Sequence, residues 1–111
     1  MENRRYMLTL DLVDDPSAIA AYEAHHRSIS QEIRASIRHS GVVGMDIYRF
    51  GSRLCMIMEV DADFTFQKKA EMDQANLHVQ RWERLMWKFQ RPVPGAKPGE
   101  KWVLMEQIFS L

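Results

Sequence analysis

Tyrosine and histidine one helical turn apart, on a side that should be dry, are the first residues of this chain that ask for a chemical explanation. Ile19, Tyr22, His26, Ile29, Ile33 and Ile37 recur at steps of three and four, the spacing of one helical face. Histidine changes protonation near neutrality, and in a partly dry pocket it is a candidate general acid or base. The competing reading is plain packing at a helix–sheet boundary, with both polar tips satisfied by backbone groups, and spacing alone favours it. Trp82 has the same double character. It shares a face with Val79, Met86 and Phe89, as core aromatics do, yet an indole also stacks on the apolar face of a sugar. Glu83 reads most simply as a solvated helix residue, and Glu59 and Glu106 as edge carboxylates facing solvent.

Other chemistries find little support. A phosphate-binding loop, a dinucleotide fingerprint and a nucleophile elbow are all missing from the sequence. His25 and His26 are adjacent, so in a helix they point about 100° apart and cannot serve one metal from one face. His39 and His78 add no ligand spacing, and no metal is expected, since such a site needs three or four convergent ligands. Lysine plus arginine equals aspartate plus glutamate at 15 each, which leaves no basic field for nucleic acid or an anionic membrane. The single cysteine, Cys55, has no partner for an internal disulfide and lies in an apolar run, where a buried thiol is expected. No apolar stretch has the length of a signal core or a membrane span, so a cytoplasmic protein is expected.

The elements that position these residues follow from periodicity. Residues 6–12 alternate, with Tyr6, Leu8, Leu10 and Leu12 on one face and Met7, Thr9 and Asp11 on the other, and predict a strand. One amphipathic helix is predicted from Asp15 to Gly41, with Asp15 as cap, Pro16 in the first turn and Gly41 as a left-handed stop. Residues 41–50 and 54–60 read as two strands joined by Gly51-Ser52-Arg53, a hairpin. The second of them is apolar on both sides apart from Glu59, as if covered on both faces. A short helix near 64–72, which Asp63 could cap, and a longer one near 75–89 come next. Prolines 92, 94 and 98 with glycines 95 and 99 predict a loop, and residues 102–109 a last strand. The order β-α-β-β-α-β, with the second α split, predicts a ferredoxin-like α+β fold over one domain, residues 1–111. The sheet face away from the helices then needs a cover. A second copy is the simplest one, which predicts a homodimer with sheets face to face.

Over nearly its whole length the sequence resembles the L-rhamnose mutarotase family. The resemblance is carried by Tyr-Glu-Ala-His-His at 22–26, His-Ser-Gly at 39–41 and Met-Glu-Val at 58–60. It continues through Gln-Arg-Trp at 80–82 and Leu-Met-Glu-Gln-Ile-Phe at 104–109. It implies a ferredoxin-like unit paired as a dimeric α+β barrel. It also implies that His26 holds the position of the proton-donating histidine, Tyr22 that of a sugar-contacting tyrosine, and Trp82 the first of a sugar-contacting tryptophan pair. The sequence departs from that pattern at Glu83, where the second tryptophan would stand, and at Met45, where a strand-two tyrosine can stand. A carboxylate at Glu83 can accept hydrogen bonds that the face of an indole cannot. The implied substrate is therefore a 6-deoxy-L-hexose, either L-rhamnose or L-fucose, which differ at C2 and C4.

The implied activity is interconversion of α and β anomers by acid–base ring opening, an isomerase reaction that calls for no metal and no coenzyme. His26 would donate to or accept from the sugar oxygens, helped by Tyr22 or water. Glu59, Asp11 and Glu106 are all open as the partner base. Two other readings compete: a small cofactorless isomerase or oxygenase on the same barrel fold, and a non-catalytic ligand-binding dimer.

Overall fold

Strand β1 (Arg4–Leu12) sets the layers, because its alternation survives into the structure. The computed structural model describes residues 3–111. Leu8, Leu10 and Leu12 are buried, whereas Met7, Thr9 and Asp11 point to the other side. Following β1 are α1 (Pro16–Arg27), α2 (Gln31–His39), the hairpin strands β2 (Val42–Phe50) and β3 (Arg53–Val60), α3 (Phe66–Gln74) and α4 (Leu77–Met86). Two short strands, β4 (Gln90–Arg91) and β5 (Val103–Leu104), complete the order. The sheet runs β2-β3-β1-β4 with β5 also beside β1, and every pairing is antiparallel. This is the expected ferredoxin-like α+β architecture.

β3 alternates as β1 does. Leu54, Met56, Met58 and Val60 are buried under the helices, while Cys55, Ile57 and Glu59 lie on the opposite face. Within the chain, then, β3 is covered on one face, not two, and Cys55 is half-buried on the open face rather than in the core. β2 carries an irregularity that decides its own parity. Val42 pairs with Val60 and Gly44 with Glu59, so Val43 is an extra residue in the ladder. Such a bulge flips every later side chain to the other face. Met45 and Ile47 consequently stand opposite Met58 and Met56, on the helix side, and Asp46, Tyr48 and Phe50 face outward.

The helical region differs from the single helix expected over 15–41. Asp15 does cap α1, its carboxylate accepting from the Ala18 N–H at 2.9 Å, and Pro16 opens the first turn. The helix then stops at Arg27. The Ser28 hydroxyl donates to the Ala24 carbonyl at 3.3 Å, and the Ser30 hydroxyl accepts from the Ile33 N–H at 3.3 Å as the cap of α2. Serine side chains compete with the backbone in this way, and two of them flanking Ile29 outweigh the continuous apolar stripe. Gly41 ends α2 with φ +100°, and a Cβ there would lie 2.9 Å from Asp61 Oδ1. The positive φ calls for glycine, and any side chain there would also displace the Asp61 carboxylate.

Two further expectations change. The cap of α3 is Thr65, whose hydroxyl accepts from the Lys68 N–H at 3.0 Å. Asp63 instead donates its backbone N–H to the Asp61 side chain at 3.0 Å. The long closing strand expected over 102–109 is only β5, extended by one bond from the Met105 N–H to the Met7 carbonyl at 2.8 Å. The edge of β1 is shared. β4 occupies it at Asp11 and Leu12, and β5 at Leu8 and Thr9, which leaves a short ladder for each. Beyond it Ile108 and Phe109 are 91% and 74% exposed.

The core has two halves. One gathers Leu8, Val42, Met56, Met58, Val60 and Phe64; the other gathers Leu10, Leu12, Tyr22, Leu54 and Met86; Trp102 packs against both. Full burial of one such aliphatic side chain stabilises by roughly 1.5–3 kcal/mol, so both halves hold the helices to the sheet. Residues of both halves, together with α2, α3 and α4, wall a cavity of about 340 Å³. Among the described residues no helix is long and apolar enough to cross a membrane.

Candidate functional site

His26 sits in the last turn of α1, where the Tyr22 carbonyl one turn earlier is its natural partner. Its Nδ1 lies 2.9 Å from that carbonyl oxygen. A carbonyl only accepts, so Nδ1 carries the hydrogen and Nε2 of the neutral ring keeps its lone pair. Two aromatic edges hold the imidazole: the Tyr22 ring at 4.3 Å and 83°, and the Trp82 ring at 5.2 Å and 71°. Burial lowers the His26 pKa from its usual value against the raising effect of the Tyr22 hydrogen bond, and neighbouring His25 lowers it further. At neutral pH the ring is therefore a base. It also lines both the main cavity and two adjoining recesses.

Tyr22 behaves in the opposite sense. It is 3% exposed and lies parallel to Phe89 at 6.2 Å between centroids. Burial pushes its pKa up to about 12. The hydrogen bond from Gln90 opposes the shift and the charge of Glu83 adds to it. The phenol stays protonated at neutral pH, so it is not the base, and its oxygen accepts from Gln90.

The main cavity brings together all four residues singled out in the sequence: Tyr22 and His26 from α1, Trp82 and Glu83 from α4. Met45 of β2 lines it too, and the bulge at Val43 is the reason. Glu83 is not simply solvated. Its carboxylate pairs with Lys101 from the loop before β5, a lysine whose side chain is only 10% exposed. The same ammonium lies 4.9 Å from the centre of the Trp87 ring. The loop at 91–101 thus anchors the acidic residue at the rim.

The three carboxylates left open as partner base do not join His26 in this cavity. Asp11 is on the opposite sheet face, bound to Arg53 at 2.7 and 3.1 Å. Glu59, also on that face, accepts from Asn3 at 3.2 Å, and Glu106 lies in the exposed segment after β5. The carboxylates that do line the cavity are Glu83 and Asp73, the second tied to Lys69 at 2.8 Å. Among the described residues no three His, Cys, Asp or Glu side chains cluster as metal ligands would.

Sequence reasoning missed Gln90, Trp102 and Lys101. Gln90 donates from Nε2 to the Tyr22 hydroxyl at 3.1 Å, a contact between residues 68 apart in sequence. No periodicity marks it, because it follows α4 and precedes the proline-rich loop. Trp102 was legible as an aromatic at the start of a strand, but its place in the cavity wall depends on β5 pairing with β1.

The arrangement offers a neutral imidazole, a protonated phenol, an indole wall and a carboxylate around a mostly apolar space. Its volume is in the range of small-molecule sites. These groups suit proton transfer on a polyhydroxylated ligand with one apolar face.

Comparison with known proteins points the same way. A family profile described as L-rhamnose mutarotase matches residues 5–111. An L-fucose mutarotase of Xanthomonas campestris pv. campestris is 42% identical over 113 residues, covering 100% of this chain and 90% of that protein. Among solved structures, an L-rhamnose mutarotase from Formosa agariphila superposes with a TM-score of 0.70 at 17% identity, covering 97% of this chain and 98% of that one. The tetracenomycin F2 cyclase of Streptomyces glaucescens superposes with a TM-score of 0.61 at 19% identity, covering 97% and 96%. At such identities the two structures speak for the fold alone.

Proposed function

The chain belongs to the L-rhamnose mutarotase family, and from that premise we propose that it interconverts the α and β anomers of a free 6-deoxy-L-hexose. The observation that carries this reading is the His26 imidazole, held between Tyr22 and Trp82 with Nδ1 committed to a backbone carbonyl and Nε2 left as a base. His26 is the catalytic residue; Tyr22, Trp82 and Glu83 bind the sugar.

Nε2 takes the proton of the anomeric hydroxyl as one is delivered to the ring oxygen from water. The C1–O5 bond breaks while C1=O1 forms. Rotation about C1–C2 turns the other face of the aldehyde to O5, and reclosure reverses both transfers. Nothing is oxidised or reduced, so the chemistry requires no coenzyme. Positioned acid–base help contributes about 10²–10⁴-fold, enough to matter for a reaction that already runs in water. The indole of Trp82 covers an apolar patch of the ring. Tyr22 donates to an oxygen, and Glu83, steadied by Lys101, accepts from hydroxyls. L-Fucose is the favoured sugar, because a relative 42% identical over the full chain is an L-fucose mutarotase and, by the resemblance, Glu83 stands where the family pattern has tryptophan. The same match leaves the isomerase–oxygenase and passive-binder readings without an observation of their own.

A homodimer is part of the proposal. The open sheet face carries Phe50 at 90% and Tyr48 at 60% exposure beside Ile57 and Met7. An apolar surface of this kind on a small protein marks an interaction site, and a second sheet is its best complement.

The test is NMR exchange between the anomeric protons of L-fucose and of L-rhamnose, with wild type and His26→Ala at matched pH. Fast exchange for L-fucose that His26→Ala abolishes is the expected result. Exchange no faster than buffer for both sugars would falsify the proposal. Tight sugar binding without exchange would return the protein to the ligand-binding class.

A further inference from the structure

One buried polar group near the catalytic histidine takes no part in the chemistry above. Gln90 of β4 is 2% exposed, its backbone pairs with Leu12, and its side chain lines the main cavity. Nε2 donates to the Tyr22 hydroxyl at 3.1 Å, but Oε1 is buried without any hydrogen-bond partner. Buried acceptors in folded proteins are almost always paired, because an unmet one is costly.

Tyr22 is left with spare capacity too. Its oxygen accepts from Gln90, so its own hydrogen is still to be given. The pair therefore holds one free donor and one free acceptor beside the same cavity. Turning the amide over exchanges the roles: Tyr22 then donates to Oε1, Nε2 becomes a free donor, and the phenol oxygen a free acceptor. Either way the pair asks for a group that donates and accepts at once, and a hydroxyl is that group. The terminal torsion of glutamine is broad, so the spare atom can turn to the cavity while β4 stays in place.

We propose that Gln90, together with Tyr22, binds one non-anomeric ring hydroxyl of the sugar and is a specificity-determining residue of the site. The proposal rests on the mutarotase reading. It adds a contact that the Tyr22–His26 and Trp82–Glu83 positions do not contain. It also gives the buried Gln90 Oε1 a partner. Trp82 and Met45 sense the bulk and the apolar face of the sugar, whereas Gln90 senses whether one hydroxyl is present.

The experiment compares anomeric exchange of the preferred sugar with that of its 2-, 3- and 4-deoxy analogues, for wild type and Gln90→Met. In wild type, one deoxy analogue should lose about 10–100-fold in kcat/KM beyond the others, the size of an interaction with a buried polar group left unpaired. Gln90→Met should lose a comparable factor on the parent sugar and treat that analogue no worse than the rest. A Gln90→Met variant that slows every sugar equally, with the wild-type deoxy pattern intact, overturns the proposal, and so does one with no change at all. Should Gln90→Met fold poorly because Tyr22 loses its partner, Tyr22→Phe/Gln90→Met replaces both polar ends at once and must also lose the deoxy discrimination. No acceleration of any sugar by wild type sinks the mutarotase reading and takes the hydroxyl contact with it. Acceleration with an unaltered deoxy pattern sinks the Gln90 contact alone.

Discussion

The two faces of the β1–β3 pair are built from alternate residues of the same strands, yet they do different work. On the helix side, Leu8, Met56 and Met58 make a floor that dries the cavity around His26. On the other side, Asp11 pairs with Arg53 and Glu59 with Asn3, while Tyr48 and Phe50 are exposed and Ile57 is half-buried. Asp11 and Glu59 on the open face lie away from the cavity. Glu83 and Asp73, paired with Lys101 and Lys69, line the cavity itself. The proposed acid–base chemistry lies on the dry side, where burial lowers the His26 pKa. The proposed dimer contact uses the other side.

That contrast can be broken. The largest effect belongs to His26→Ala, which should reduce the catalysed anomer exchange by about 10²–10⁴-fold with the fold retained, measured by NMR exchange alongside circular dichroism. Retention of full activity would place the base elsewhere. Next is Leu10→Ala in the floor of the core, where exposure is 0%. It should cost about 2–5 kcal/mol in urea denaturation. Ile57→Ala on the open face should cost clearly less in a monomeric sample, and equal losses would contradict the one-sided core.

The open face is challenged by Ile57→Asp. Placing a charge in the proposed sheet-to-sheet contact should halve the mass seen by light scattering. An unchanged mass would move the interface to another surface. A pH profile sharpens the dry side. Burial holds the His26 pKa below the ordinary 6.5, so the neutral base persists to lower pH than in a free imidazole. The rate should hold as pH falls to 6.5 and drop, by about tenfold per unit, only below the depressed pKa. Stability follows the same sign. The unfolded chain binds the proton more readily, so this contribution is full above 6.5 and is lost as pH falls through the folded value. An acid limb centred above 6.5 would show that another group controls the rate. The smallest effect is expected from Ser30→Ala, which removes the cap of α2 and should cost about 1 kcal/mol in thermal unfolding. No loss would mean that the break between α1 and α2 is imposed by packing.

Much of the fold was legible because its signals are local. Alternation in β1 and β3, the Asp15-Pro16 start and the Gly41 stop need only side-chain period and backbone sterics. The break at residues 28–30 was legible in principle, since serines favour caps, but the apolar stripe runs straight across it and hides it. The shortness of β5 was not legible. Residues 102–109 alternate well enough for a strand, but the length of a ladder depends on how much partner edge remains, and β4 takes part of it.

For the site, the sequence by itself determined that Tyr22 and His26 share a helical face and that Trp82 lies on the buried side of α4. Both follow from a repeat of 3.6 residues. Tertiary structure alone decided that these two faces meet. It decided that the bulge at Val43 turns Met45 inward and Tyr48 outward, that Lys101 holds Glu83, and that Gln90 reaches Tyr22. Periodicity says which way a side chain points from its own element. Which group it then touches depends on register and on chain closure across dozens of residues, and those are settled only when the whole core packs at once.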